Sequence, residues 1–449
     1  MKHLFAWLVA AFILASSLPL SAKDEVPWRP EAYHSLFTEA ERDKPYVYGH
    51  SYSLEDWPFI DGQWEGIVCD SDGNVWFGVS SHSFKHHAQL FRYNAAAGKV
   101  EHVADIGQAC GEKLSGNAPQ DKIHSQMFED GEAIYCGTCE GHFSETIKYP
   151  GGYWLDINRK TGQVTALGKS ISNDGLICVG YDRKNKLLYG HTNVKGELLS
   201  FNPTTRQEKL LGVPEKGGPA KWPRGLTLMI DPEGVVYGVK PPACTFWKYD
   251  PQTGQISDLA VKPPLPADVA AGDQKAVEKY NQDGRVAMTI WDEKDQCFYA
   301  MRGHDEMLLR FYPPRQGQEA RVEALQLMGL SEHRYGQRYS SCMMALHDRT
   351  IWYTPYTGWG GVTYLTSYNL DTKKFTNHGP LIVDGDRRVN ECHSIVAGKD
   401  GRLYMVCFVF SIEGVDPARE NAMRDIYPFH PRFVIVDPRT DLKARVGAQ

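Results

Sequence analysis

The 449-residue chain has no excess of positive charge: 49 Lys and Arg stand against 55 Asp and Glu, a formal net charge of −6. With no polybasic run either, a general nucleic-acid binder is excluded. Beyond the N-terminus no apolar run approaches the roughly 20 residues that span a bilayer, so no membrane insertion is expected. Helical periodicity is nearly absent, save over Ala270–Tyr280. There is no Gly-x-Ser-x-Gly, His-Glu-x-x-His or Walker loop, which removes the usual marks of serine hydrolases, zinc proteases and nucleotide hydrolases. Cysteine is present ten times, but not in the pattern of a disulfide framework. Cys69, Cys136, Cys178, Cys297 and Cys407 lie in or beside apolar strand-like runs, where Cys serves as a small buried hydrophobe. Cys136-Gly-Thr-Cys139 has the CxxC spacing, yet no second CxxC accompanies it, and strand packing is the plainer reading.

What is present describes an exported globular protein. The composition is 42% hydrophobic and 12% aromatic, too apolar for disorder. Met1-Lys2-His3 is a short positive start, Leu4 to Leu18 an apolar stretch, and Ser21-Ala22 a small-residue cleavage site. Residues 1–22 are therefore expected to be a signal peptide, which makes the mature chain secreted or periplasmic.

Internal repetition is the strongest signal. A polar turn followed by a β-prone run ending in an aromatic recurs along the chain. It reads Asp70-Ser-Asp-Gly-Asn-Val-Trp-Phe-Gly78, Glu129-Asp-Gly-Glu-Ala-Ile-Tyr-Cys-Gly137, Asp182-Arg-Lys-Asn-Lys-Leu-Leu-Tyr-Gly190 and Asp231-Pro-Glu-Gly-Val-Val-Tyr-Gly238. Further copies begin at Asp292, His347 and Lys399. Some 20 residues after each comes a second turn, clearest in Asp156-Ile-Asn-Arg-Lys-Thr-Gly162, Asp250-Pro-Gln-Thr-Gly254 and Asp437-Pro-Arg-Thr440. Two turns per unit imply four antiparallel strands, and seven units at a period of about 50 residues imply a propeller. The expectation is an all-β fold, a seven-bladed β-propeller over residues 61–449. Residues 23–60 form an N-terminal arm that packs on the rim or completes a blade, and 408–431 are an insertion.

In such a ring the starts of first strands and the loops after second strands crowd one mouth of the channel, where ligands bind. The first-strand starts carry Trp64-Glu65, His124, Arg224, Arg285, Arg338-Tyr339 and Cys392-His393. The loops carry His82, His86 and His87, then His142, and then Tyr189, His191 and Lys195. Tyr237 and Lys240 follow, with Arg302, His304, Tyr353, Tyr356 and Trp359 beyond them. Basic residues gathered at one mouth of an acidic protein favour an anionic ligand. Aromatics beside them suit sugar rings, so an anionic polysaccharide is the expected partner.

His, Tyr and Arg without an obvious carboxylate dyad suit β-elimination on a uronic acid. A cation pairs with the carboxylate and stabilises the charge that develops as the C5 proton leaves. A neutral His or a Tyr takes that proton, and a second group protonates the leaving oxygen at C4. No cofactor is needed for this chemistry. Each residue also has a plainer role: an inner-strand His can simply bond a neighbouring blade, and every blade repeats an aromatic where Tyr189 stands. Glycoside hydrolysis stays open, since Glu65, Glu140 and Asp305 are placed to reach the mouth.

Seven blades, a secretory leader, His124 opening the second blade, His142 in the next loop and Tyr189 closing the Leu-Leu-Tyr-Gly strand together resemble propeller-fold ulvan lyases of the polysaccharide lyase family 25 type. The likeness to oligogalacturonate lyases is more distant. The resemblance implies His124 and Tyr189 as the proton-transfer pair, His142 holding the uronate carboxylate and Tyr237 lining the site. The family's carboxylate-pairing arginine has no counterpart in Gly190-His-Thr-Asn-Val-Lys-Gly196. Lys195 or Arg224 takes its place, with Arg206 placed in the turn at the opposite face. His393 is a further substrate-binding candidate. The resemblance leaves a structural metal open, with Cys392-His393 as potential ligands but no full set, and a monomer is expected. The alternatives are a propeller that binds glycans or proteins without catalysis, and a small-molecule lyase or lactonase on the same scaffold.

Overall fold

The computed structural model describes residues 46–54, 56–114, 117–141, 148–214, 227–240, 244–265, 286–303, 305–329, 344–355, 363–383, 387–410 and 429–443. The leader, most of the N-terminal arm, Arg224, Arg285, Arg338, Tyr339, His142, His304, Tyr356 and Trp359 lie outside them. No helix among the described residues is long and apolar enough to cross a membrane.

The fold is all-β, a propeller built from antiparallel meanders. Strand β1 (Tyr46–Ser53) precedes the first blade, β2 (Ile67–Cys69), β3 (Val75–Val79), β4 (Gln89–Asn94) and β5 (Lys99–Asp105). A single helical turn, α1 (Ile106–Ala109), leads to the second blade, β6 (Phe128–Asp130), β7 (Ala133–Gly137), β8 (Tyr153–Asn158) and β9 (Val164–Lys169). The third is β10 (Leu176–Asp182), β11 (Leu187–Thr192), β12 (Leu198–Phe201) and β13 (Glu208–Gly212). The fourth is β14 (Met229–Ile230), β15 (Val236–Lys240), β16 (Thr245–Asp250) and β17 (Gln255–Asp258). The fifth is β18 (Val286–Asp292), β19 (Cys297–Arg302), β20 (Met307–Tyr312) and β21 (Arg321–Leu327). The remaining strands are β22 (Met344–His347), β23 (Thr350–Tyr353), β24 (Tyr364–Asn369), β25 (Lys374–Val383), β26 (Arg387–Ala397), β27 (Leu403–Phe410), β28 (Phe429–Val436) and β29 (Leu442–Lys443).

The first strands neighbour one another in chain order from β10 to β26, and β26 returns to β2, closing the ring. The expected count of seven separate blades is corrected: five four-stranded blades stand alone, and β22–β29 with β1 form one nine-stranded sheet. The reason is β1, which pairs on both sides. Its first half lies parallel to β25, with Val47 opposite Leu381 and Gly49 opposite Val383. Its second half lies antiparallel to β28, with His50 opposite Ile435 and Ser53 opposite Arg432. The expected insertion also narrows, because 408–410 and 429–431 continue β27 and β28, Phe408 pairing with Pro431; residues 411–428 lie outside the described set.

The repeated turn owes its sequence to two demands. Gly73, Gly234 and Gly401 take φ of +87°, +85° and +81°, a conformation that costs glycine little. The aspartate that opens the turn caps its backbone: Asp70 Oδ1 accepts from the amides of Asp72 and Asn74, both at 2.9 Å. Between blades lie the aromatics of second strands, with Trp76, Tyr189, Tyr237, Tyr299, Tyr353 and Tyr404 all fully buried. The nine described cysteines carry free thiols, and both members of the CxxC are buried.

Candidate functional site

The segments that enter the first two inner strands, Asp61–Gly66 and Asp121–Met127, come together because Gly66 lacks a side chain. A Cβ there would stand 2.5 Å from the Ile123 carbonyl. This close approach places Trp64 beside residues of three elements. The Lys122 ammonium lies over its ring, 3.7 Å from the centroid. The His82 ring meets it edge-on at 4.8 Å and 72°. His124 and His393 lie nearly parallel to it at 6.1 Å and 6.0 Å. Four basic side chains therefore share one indole.

Three of the four have acidic companions. Asp61 Oδ1 lies 2.8 Å from His82 Nδ1, with both residues buried. Glu391 Oε1 lies 2.5 Å from His393 Nε2. Lys122 faces Asp121; burial pulls the ammonium below its ordinary value and pushes the carboxyl above its own, each charge opposing the other's shift. His124 is the exception. Its Nδ1 is buried with no hydrogen-bond partner among the described residues. Burial first, and then the Lys122 charge, lower its pKa to about 3, so the ring is neutral.

Backbone geometry holds this group in place. His82 has φ of +38°, rarely adopted by a residue with a side chain. Gly141 leaves it room, since a Cβ there would come within 2.8 Å of His82 Cδ2 and 2.9 Å of Asp121 Oδ2. The Gly141 amide donates to Asp121 Oδ1. Beside them Glu140 accepts from Asn193 Nδ2 at 3.2 Å and from Cys139 Sγ at 3.4 Å. Burial, and then Asp174, push its pKa up to about 7. Glu65 is wholly buried with neither oxygen bonded among the described residues, and burial holds its carboxyl well above the ordinary 4.5.

Of the residues named from sequence, His124 and His393 meet at Trp64; His142 and Arg224 lie outside the described residues. Tyr189 stands elsewhere. It packs with Cys178, Leu228, Val236, Trp247 and Tyr249 between the third and fourth blades. The charged neighbour of its hydroxyl is Asp182, at the turn end of its strand. Tyr237 behaves alike, donating to Asp231 Oδ2 at 3.0 Å in its own turn. The structure thus does not bring Tyr189 to His124, because the repeat uses this position for packing between blades. Lys195 is exposed, and its ammonium folds back to the Ser172 carbonyl. Arg206 sits in the turn between β12 and β13. Arg302 makes a buried two-bond pair with Asp305 at 2.9 and 2.7 Å. His86 stacks on Phe59 at 4.0 Å, and His87 Nδ1 accepts from the Gln120 amide at 3.2 Å, so the pair serves packing. Among the described residues no group of three or more His, Cys, Asp or Glu is arranged to hold a metal ion.

Sequence reasoning missed Asp61, Lys122 and Glu391. Lys122 and Glu391 each stand two residues before a named histidine, and that spacing puts both side chains on one face of an extended segment. Asp61 carried no comparable signal.

No protein-family model and no curated protein sequence matches this chain. Solved structures do. The chain is similar to virginiamycin B lyase from Staphylococcus aureus, with TM-score 0.50, 10% identity, 86% of this chain covered and 99% of that one. It is similar also to a putative 6-phosphogluconolactonase from Bacteroides uniformis, with TM-score 0.51, 11% identity and coverages of 81% and 96%. They share its propeller fold. At such identity they say nothing of substrate.

Proposed function

We propose that this chain is an exported lyase that cleaves a uronate-containing anionic polysaccharide, of which sulfated ulvan-like glycans are one class, by β-elimination at the Trp64 site. The observation that carries the proposal is His124, a neutral imidazole whose Nδ1 has no hydrogen-bond partner among the described residues, on the same indole as Lys122. Such a ring can accept the C5 proton. An arriving uronate raises its proton affinity, since a nearby negative charge favours the imidazolium. The Lys122 ammonium over the same indole is the cation placed to neutralise the carboxylate as charge develops, with His393 beside it as a further substrate-binding group. The N-terminal apolar stretch supports export, and the likeness to propeller-fold ulvan lyases points to the same substrate class.

The sevenfold repeat belongs to this reading as well. The nine-stranded sheet is best understood as two blades, β22–β25 and β26–β28 completed by β1, joined where β1 meets β25. Strands β22 and β26 each taking a place in the ring supports it.

Elimination is tested by ultraviolet absorbance of the unsaturated uronide, with ulvan, polygalacturonate, alginate and a glycosaminoglycan in parallel. A rise on one substrate that is lost in His124→Ala is expected. No rise on any of them from folded protein would reject the lyase.

A second reading, a propeller that binds anionic glycans without cleaving them, is favoured by one observation: Tyr189 faces the neighbouring blade, not His124. Binding without absorbance change in the same samples would establish it.

A further inference from the structure

A second recess lies between the first two blades, and none of the residues gathered about Trp64 lines it. Its volume is about 160 Å³, and its lining includes His87, Glu112, Lys113, Leu114, Pro119 and Pro150. A single water needs roughly 10–15 Å³, so the recess has room for a larger guest. We propose that it is an outlying substrate subsite, which takes one sugar unit with its sulfate or carboxylate on Lys113. This rests on the anionic-glycan reading above.

The walls of the recess are held from both blades. On one side α1 and the turn after it close on His87. Asp105 Oδ1 accepts from the Gln108 amide at 2.9 Å, and the Glu112 amide donates to the Gly107 carbonyl at 2.9 Å. Position 107 must be glycine, since a Cβ there would stand 2.2 Å from Cγ, Cδ2 and Nδ1 of His87. On the other side the Ala118 amide donates to the Lys148 carbonyl at 2.9 Å, and Gln120 Nε2 to the Gly151 carbonyl at 3.0 Å. From Ala118, beside the recess, the chain runs four residues to Lys122 at Trp64, a span of at most about 14 Å. One glycan chain can therefore reach both places.

The lining suits an anionic sugar. Lys113 is exposed and has no ion pair or hydrogen bond among the described residues, so its charge is left for a ligand. Glu112 is already compensated: the Tyr153 hydroxyl donates to its Oε1 at 2.9 Å, and the Lys169 ammonium lies 3.5 Å from the same oxygen. Its other oxygen can accept from a sugar hydroxyl. His87 supplies a donor. Burial holds its pKa below the ordinary 6.5, and Nδ1 accepts from the Gln120 amide, so the neutral ring carries its proton on Nε2. Nε2 has no hydrogen bond among the described residues and yet is not a buried orphan, so it opens on the recess. Leu114, Pro119 and Pro150 offer apolar surface to the C–H face of the ring.

The test is isothermal calorimetry in a His124→Ala background, which stops turnover, with ulvan, desulfated ulvan and polygalacturonate as probes. Lys113→Met decides, because that side chain is exposed and bonded to nothing the fold needs. Lys209→Met, exposed on β13, controls for the loss of one positive charge. Expected for Lys113→Met is a rise in Kd for ulvan of about threefold or more at low salt, shrinking as salt screens the contact. Lys209→Met should leave Kd unchanged. His87→Asn removes Nε2 and should raise Kd about threefold at every salt concentration; should it fail to fold, Lys113→Met decides alone. An effect of Lys113→Met that vanishes on desulfated ulvan assigns the anion as sulfate, and one that persists there and on polygalacturonate assigns it as carboxylate. A rise below threefold, or an equal rise in Lys209→Met, overturns the subsite, while a lyase seen by absorbance stands. Absence of elimination with the Lys113 effect intact rejects the lyase and keeps the subsite. Binding of none of the probes overturns the subsite and the anionic-glycan reading together.

Discussion

The Trp76 indole donates to Asp70 Oδ2 at 2.9 Å, tying a buried aromatic of the second strand to the aspartate that opens its turn. The same link recurs as Tyr237 to Asp231 at 3.0 Å and Tyr404 to Asp400 at 2.9 Å. Each aspartate thus serves two ends, capping turn amides and fixing the ring that packs between blades. Asp70→Ala would strand Trp76 Nε1 and the amides of Asp72 and Asn74. A loss of about 3 kcal/mol is expected, read as a lower midpoint in chemical denaturation, with activity of the surviving folded protein unchanged.

That link explains what was legible in the sequence. The Asp-to-aromatic spacing and the positive-φ glycines are dictated by each turn alone, so they repeat and reveal the meander. The same regularity hid the role of Tyr189, because an aromatic that every unit needs for packing is indistinguishable, by spacing, from a functional one. His124 and His393 stood out by breaking the apolar pattern of inner strands. Asp61 and His82 could not be paired in advance, since they meet only after the loop beyond β3 folds back over the entrance to β2, where Ser80 bridges Gly62. Likewise the blade count depended on how β1 closes the ring, a long-range pairing that no local signal encodes.

Tyr189→Phe separates packing from catalysis directly. The hydroxyl is buried without a hydrogen-bond partner among the described residues, so its removal sheds an uncompensated polar group. Stability is expected to hold or rise by up to about 1 kcal/mol, and glycan cleavage to stay within twofold of wild type. Loss of activity in a folded Tyr189→Phe would return the residue to the proton-transfer pair.

Glu65 predicts a pH dependence of stability. Its folded-state carboxyl is held well above the ordinary 4.5 by burial, so the unfolded chain ionises first as pH rises. The contribution to stability is therefore full below about pH 4.5 and is lost progressively as pH climbs toward the folded value. Glu65→Gln removes this titration. The variant should gain on wild type progressively as pH rises and differ little from it at pH 4, in thermal melts across that range. A difference independent of pH would show that the carboxyl is ionised in the folded protein.

Closure of the ring turns on Gly49, the last residue of β1 opposite β25 before the strand passes to β28. A Cβ added there would stand 2.5 Å from Val434 Cγ1 and 3.3 Å from Val383 Cγ1. Val434 and Val383 are both fully buried, so neither can swing into open space. Gly49→Ala must therefore push β1 away from one neighbour, at a cost of about 1–3 kcal/mol. Because β1 is what joins the last strands of the chain to the first, the effect should exceed local fraying. Hydrogen exchange is expected to quicken in β1, β25 and β28 together, while β10–β13 stay protected. Faster exchange confined to residues 46–53 would mean that the ring stays shut without this strand.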